Sequence, residues 1–172
     1  LSRPLAFATQ LARAAALAGG AVLLALIAMT CATIAGRIEL WLSGQWPQLG
    51  WLAGLRPIRG DYELVEMGTA IAVACFLPWC QIARGHARVD LFGRRLPAWL
   101  DMLWDLLMAA AMALLAWRVG AGMMQKLASG ESSFLRGIPL WWGYAGVLPG
   151  LGLASLAALA CAIGRATGDR RG

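Results

Sequence analysis

Polar chemistry is scarce in this 172-residue chain: 14% of its residues are charged, tyrosine occurs twice and histidine once. Soluble domains average about a quarter charged and about half apolar residues. Here apolar residues reach 60% and the mean hydropathy is +0.65. A single histidine, His86, excludes a haem held between two imidazoles. Cys31, Cys75, Cys80 and Cys161 form no Cys-x-x-Cys pair, and each lies within or beside an apolar run. They read as buried, inert thiols rather than a membrane thiol oxidase. Glycine-rich phosphate loops, zinc-ligand spacings and nucleophile elbows are all missing. The sequence therefore offers no catalytic, cofactor-binding or metal-binding set, and no enzyme is expected. Fifteen basic against nine acidic residues leave a formal charge of +6, which in a soluble protein would suggest nucleic acid. The basic residues are instead scattered between long apolar runs, as a lipid solvent requires.

Those runs organise the chain. Ala14 to Gly36 is free of charge, and so is Gly137 to Gly164. Leu64 to Ala83 is broken only by Glu66, and Pro97 to Gln125 carries Asp101, Asp105 and Arg118. About 20 apolar residues in a helix cross the hydrocarbon core of a bilayer. Backbone groups in lipid must find partners within their own segment, which favours helix. The expectation is an all-α integral membrane protein of one domain over 1–172. Its four transmembrane helices fall near 14–36, 62–83, 97–125 and 138–164. The first run is too long for a cleaved leader, whose apolar core is usually about 7–15 residues.

Charge placement predicts direction. Segments 1–13, 84–95 and 165–172 hold nine of the fifteen basic residues, while 37–61 and 119–136 hold five. Basic loops stay cytoplasmic, so both termini and the inner loop 84–96 are expected inside. Trp79, Trp99 and Trp104 then mark the inner headgroup level, and Trp117, Trp141 and Trp142 the outer one. The outer loop 37–61, with Trp41, Trp46 and Trp51, is expected to lie in the interface as short segments. The inner stretch around Leu91 and Phe92 reads the same way, and Pro97 suits the first turn of the third helix.

Ionisable residues inside spans are costly in lipid and usually paired. Counted from the span centres, Glu66 and Arg118 fall at similar depth, which predicts either an interhelical contact or two side chains snorkelling to the outer surface. Asp101 and Asp105 lie one turn apart, level with Gln81 and Arg84. They read as charge compensation near the inner headgroups or as a proton relay. Charge near the membrane midplane, where secondary carriers place their coupling sites, is lacking. Gly19 and Gly20 in the first span, and Gly143, Gly146, Gly150 and Gly152 in the last, permit close helix approach within the bundle or to a partner. Pro149 predicts a bend in the last span.

Four stretches carry a family resemblance: GDYELVEM at 60–67, RGHARVDLFGRRLP at 84–97, AWR at 116–118 and GIPLWWGYAGVLPG at 137–150. Together they resemble the small, Q-type membrane subunit of tripartite ATP-independent periplasmic (TRAP) transporters. The resemblance implies two partners: a large, multi-helix M-type subunit that binds sodium and solute, and a soluble periplasmic solute-binding protein. It further implies uptake of a carboxylate-containing solute on the sodium gradient across the bacterial inner membrane, with the small subunit as scaffold. Residues proposed as structural or partner contacts are Glu63, Glu66, Arg84, His86, Arg88, Asp90, Asp101, Asp105, Arg118, Pro139, Trp141, Tyr144, Gly146 and Gly150. Glycine-rich faces of spans one and four are expected against the large subunit, and Arg56, Arg59, Lys126 and Arg136 against either an acidic receptor surface or lipid phosphate. The competing reading is a stand-alone small carrier or channel formed as a homo-oligomer.

Overall fold

The computed structural model describes residues 3–45, 57–58, 60–83 and 98–166. Four helices follow one another: α1 (Arg3–Gln45), α2 (Asp61–Ile82), α3 (Ala98–Ser129) and α4 (Trp141–Ala166). Each is long and apolar enough to cross a membrane. The apolar runs placed α2, α3 and α4 within a few residues, while α1 departs from expectation. It continues unbroken through residues 37–45, which hydropathy had assigned to an outer loop. Arg37 and Glu39 end the apolar run without ending the helix, since helical hydrogen bonding does not need apolar side chains. Arg37 reaches Asp61 at the start of α2, 3.4 Å away, and fastens the extension to the bundle. Residues 46–56 of the expected outer loop lie outside the described residues, as do the inner loop 84–96 and Pro97.

α4 is the hub, packing against α3, α2 and α1. α1 also packs along α2, whereas α2 and α3 share no helix contact. Chain direction alternates: α1 and α2 are antiparallel, with Gly19 against Cys75 and Gly68 against Leu26. α2 and α4 run parallel, and α3 runs back against α4, with Gly122 under Tyr144 and the Ser155 hydroxyl donating to the Ala109 carbonyl at 3.1 Å. The start of α1, the end of α2 and the second half of α4 therefore share one end of the bundle, here the terminal end. The α3–α4 connection lies at the other, the loop end.

Small residues build the α2–α4 seam. Met67 touches Gly143, Ile71 meets Gly146, and Ala74 meets Gly150, stepping three or four residues along each helix. A Cβ at position 146 would fall 2.5 Å from Ile71 Cδ1. Gly143, Gly146 and Gly150 of α4 are thus covered by α2, as is Gly19 of α1, while Gly20 and Gly152 face open space. Ala72, Ala74, Ala154, Ala157, Ala158 and Ala162 complete a core of small side chains. Close approach of this kind is how helices associate where lipid is as apolar as leucine. Large side chains point outward instead: Leu24, Ile27, Leu107, Leu114, Trp104 and Trp117 are all exposed, as lipid-facing residues are.

Candidate functional site

Although α2 and α3 do not pack together, polar groups tie α2 to α3 at one end of the bundle and to the α3–α4 connection at the other. At the terminal end, Gln81 Nε2 donates to Asp105 Oδ1 at 3.4 Å, and Asp105 is 5% exposed. The shared depth inferred for Gln81 and Asp105 is thus realised as a contact. Asp101 sits one turn earlier on the same helix; its side chain lies outside the described residues, as do Arg84, His86, Arg88 and Asp90.

At the loop end the tie is made by Glu63 in the first turn of α2, where a carboxylate also complements the positive end of the helix dipole. Its carboxylate accepts from the Ser133 hydroxyl and, at 2.9 Å, from the Leu135 N–H. The segment held this way is a tight reversal of chain. Ser132 pairs with Pro139 as an antiparallel bridge, and the Ser133 N–H donates to Ile138 O at 2.8 Å. The Gly137 N–H returns to Ser133 O at 3.0 Å and the Leu140 N–H to Glu131 O at 3.1 Å. Gly137, at φ 64°, makes the left-handed turn that a side chain would oppose. Pro139 thus closes the reversal, and Trp141 opens α4 with its ring edge-on to Trp142, centroids 6.1 Å apart.

A second polar contact sits beside this reversal. Lys126, near the end of α3, pairs with Glu131 just beyond it. The ammonium hydrogen bond, followed by the nearby Ser129 hydroxyl, holds the Glu131 carboxyl below its ordinary range. Lys126 is thereby already engaged by its own chain. Gly60, ahead of α2, has φ 73°, and a Cβ there would stand 2.6 Å from Arg136 Cγ. The start of α2 and the α3–α4 connection consequently press against each other along their length.

Between the two ties lies an open cleft of about 470 Å³, floored by Tyr144 and Val147 of α4. Glu66 and Ala70 of α2 form one wall, Val119 of α3 the other, and Phe134 stands at the rim. Glu66 and Arg118 do not meet. Contacts of Met67 with Gly143 and of Tyr144 with Gly122 place Glu66 level with about Met124, about 9 Å from Arg118 along the axis. α4 also lies between their helices. Arg37–Asp61 and Lys126–Glu131 are ion pairs, whereas Glu66 and Arg118 are both exposed.

Sequence reasoning missed Ser133 and the Leu135 amide as partners of Glu63, because roughly seventy residues separate them and hydropathy says nothing of pairing across that distance. It also missed Arg37–Asp61. The available signal there was an acidic pair, Asp61 and Glu63, opening a helix with a basic residue flanking the preceding span.

The family model of tripartite ATP-independent periplasmic transporters, DctQ component, matches residues 26–168. No curated protein and no solved structure matches the chain. The matched region takes in α2, α3, α4, both ties and the cleft, leaving out only the first part of α1 and the last few residues. A multi-pass helical bundle stitched by small residues is what the matched sequence folds into, and the chain belongs to the DctQ family, the small, non-enzymatic membrane component of TRAP transporters.

Proposed function

We propose that this subunit is the stationary brace of its transporter. It holds a large M-type transport subunit in the bacterial inner membrane and helps the periplasmic solute-binding protein dock, while a carboxylate-containing solute enters on the sodium gradient. Membership of the DctQ family over 26–168 carries this reading. The packing supports it: α4 meets α2 through backbone-close glycine contacts, an arrangement suited to a rigid body rather than to a moving part.

In this reading both termini lie in the cytoplasm, supported by the nine basic residues in segments 1–13, 84–95 and 165–172. The loop end then faces the periplasm. There the exposed Arg136 projects from a turn pinned by Glu63, a charged surface fit to meet a receptor. Complementary charge at such a contact acts mainly on the encounter rate. Lipid anchors the rest through the outward aromatic and aliphatic side chains of α1 and α3.

Reconstitution tests the proposal. Vesicles holding the large subunit and receptor should accumulate solute under a sodium gradient only when this chain is present. Normal uptake without it would refute the brace, and uptake by this chain alone would restore the stand-alone carrier.

A further inference from the structure

We infer that the α2–α3 cleft receives the side chains along one face of a transmembrane helix of the large subunit, which brings a hydrogen-bond donor or cation to Glu66. The inference rests on the reading of this chain as a brace for that subunit, and names where on the bundle the contact is made. Glu66 lies about five residues inside α2, roughly 8 Å from the middle of a 22-residue span at 1.5 Å per residue. At that depth the solvent is hydrocarbon, where a carboxylate needs a charge or hydrogen-bond partner. Glu66 has none among the described residues, and it is exposed on the cleft wall. Its neighbours Glu63 and Asp61 are by contrast both engaged, by Ser133 and Leu135 and by Arg37.

Charge complementarity selects the occupant. Acyl chains offer no donor at this depth, whereas a helix can carry Lys, Arg, Ser, Thr, Asn or Gln there. Size agrees: a helix about 10–12 Å across cannot enter 470 Å³, but the side chains of one face can. Phe134 at the rim is 100% exposed despite being held by hydrogen bonds on both neighbouring residues, so a docked helix would also cover that ring. Gly143, Gly146 and Gly150 of α4 are already covered by α2, while this cleft is a concave surface still open on the bundle.

Two variants test the inference in the complex. Glu66→Leu removes the carboxylate, and Ala70→Phe fills the cleft without touching it. Each should lower co-purification of the large subunit about tenfold, the weight of one intramembrane polar contact. The thermal midpoint of the separately purified small subunit should stay the same or rise with Glu66→Leu, since no contact within the chain is lost. A fall in that midpoint, or retention of the large subunit by both variants as by wild type, would overturn the cleft while leaving the brace reading intact. Unchanged association with one fewer bound phospholipid per chain in native mass spectrometry would assign the cleft to lipid and overturn it too. Failure of wild type itself to retain the large subunit would instead bring down the reading on which the inference stands.

Discussion

Gly150 of α4 lies flat against the peptide of Ala74 in α2: a Cβ there would come 2.9 Å from Ala74 Cβ and closer still to its carbonyl oxygen. Backbone cannot swing aside as a side chain can. Gly150→Ala should therefore destabilise the bundle by about 1–3 kcal/mol, the usual cost of overpacking. Gly152, two residues on, faces open space, so Gly152→Ala should leave stability unchanged or raise it slightly through helix propensity. Thermal unfolding in detergent, run on both, checks the contrast.

Thr33 and Thr30 make a second matched pair. Thr30 donates its hydroxyl to Leu26 O at 2.8 Å, whereas Thr33, 1% exposed, has a hydroxyl with no hydrogen-bond partner. Burying an unsatisfied hydroxyl costs about 1–3 kcal/mol by protein mutational measures. Thr33→Val should accordingly raise the unfolding midpoint, and Thr30→Val should leave it level or lower it. Equal shifts in the two variants would contradict the assignment.

Gln81 and Asp105 link two helices that otherwise stand apart. A double-mutant cycle with Gln81→Leu and Asp105→Leu should show a coupling of about 0.6–1.7 kcal/mol, the range measured for polar contacts between membrane helices. Additive losses would mean that the two groups stabilise the bundle independently.

Glu63→Ala should speed hydrogen exchange at the Leu135 amide several-fold while the α2–α4 seam stays protected, because the change removes a clasp on the reversal and nothing in the core. Glu63→Gln should show a smaller effect, since the amide oxygen still accepts from the Leu135 N–H while the NH2 can donate to the Ser133 hydroxyl oxygen.

The Lys126–Glu131 contact predicts a pH effect. A carboxyl held below its ordinary range adds stability above the unfolded pKa of about 4.3 and loses it as pH falls through the lower folded value. The protection factor of the Leu140 amide, which donates to Glu131 O, should fall once pH drops below about 4. Lys126→Met should flatten that dependence.

Hydropathy made three of the four helices legible because the hydrocarbon core sets both their length and their composition. It could not show that α3 leans on α4 instead of α2, since the large outward side chains of the helices are apolar all round and order of packing is decided by small residues. Gly143, Gly146 and Gly150 advertised close contact without naming the neighbour, and the neighbour proved to be α2. Of the two readings of Glu66 and Arg118, the interhelical contact is absent, because it takes their helices as centred on the same plane and touching. Contact registers at Met67 and Tyr144 put the two charges about 9 Å apart along the axis. Glu63 gave its type and position away but not its partners, which arrive from the far side of the chain.

The 43 residues of α1 have one more effect. Its charge-free stretch from Ala14 to Gly36 covers 23 residues, about 35 Å of helix. A hydrocarbon slab about 30 Å deep takes up that length at a lean of about 30°. The turns from Arg37 to Gln45, about 13 Å more, then rise clear of the acyl chains as a post on the side of the α3–α4 connection.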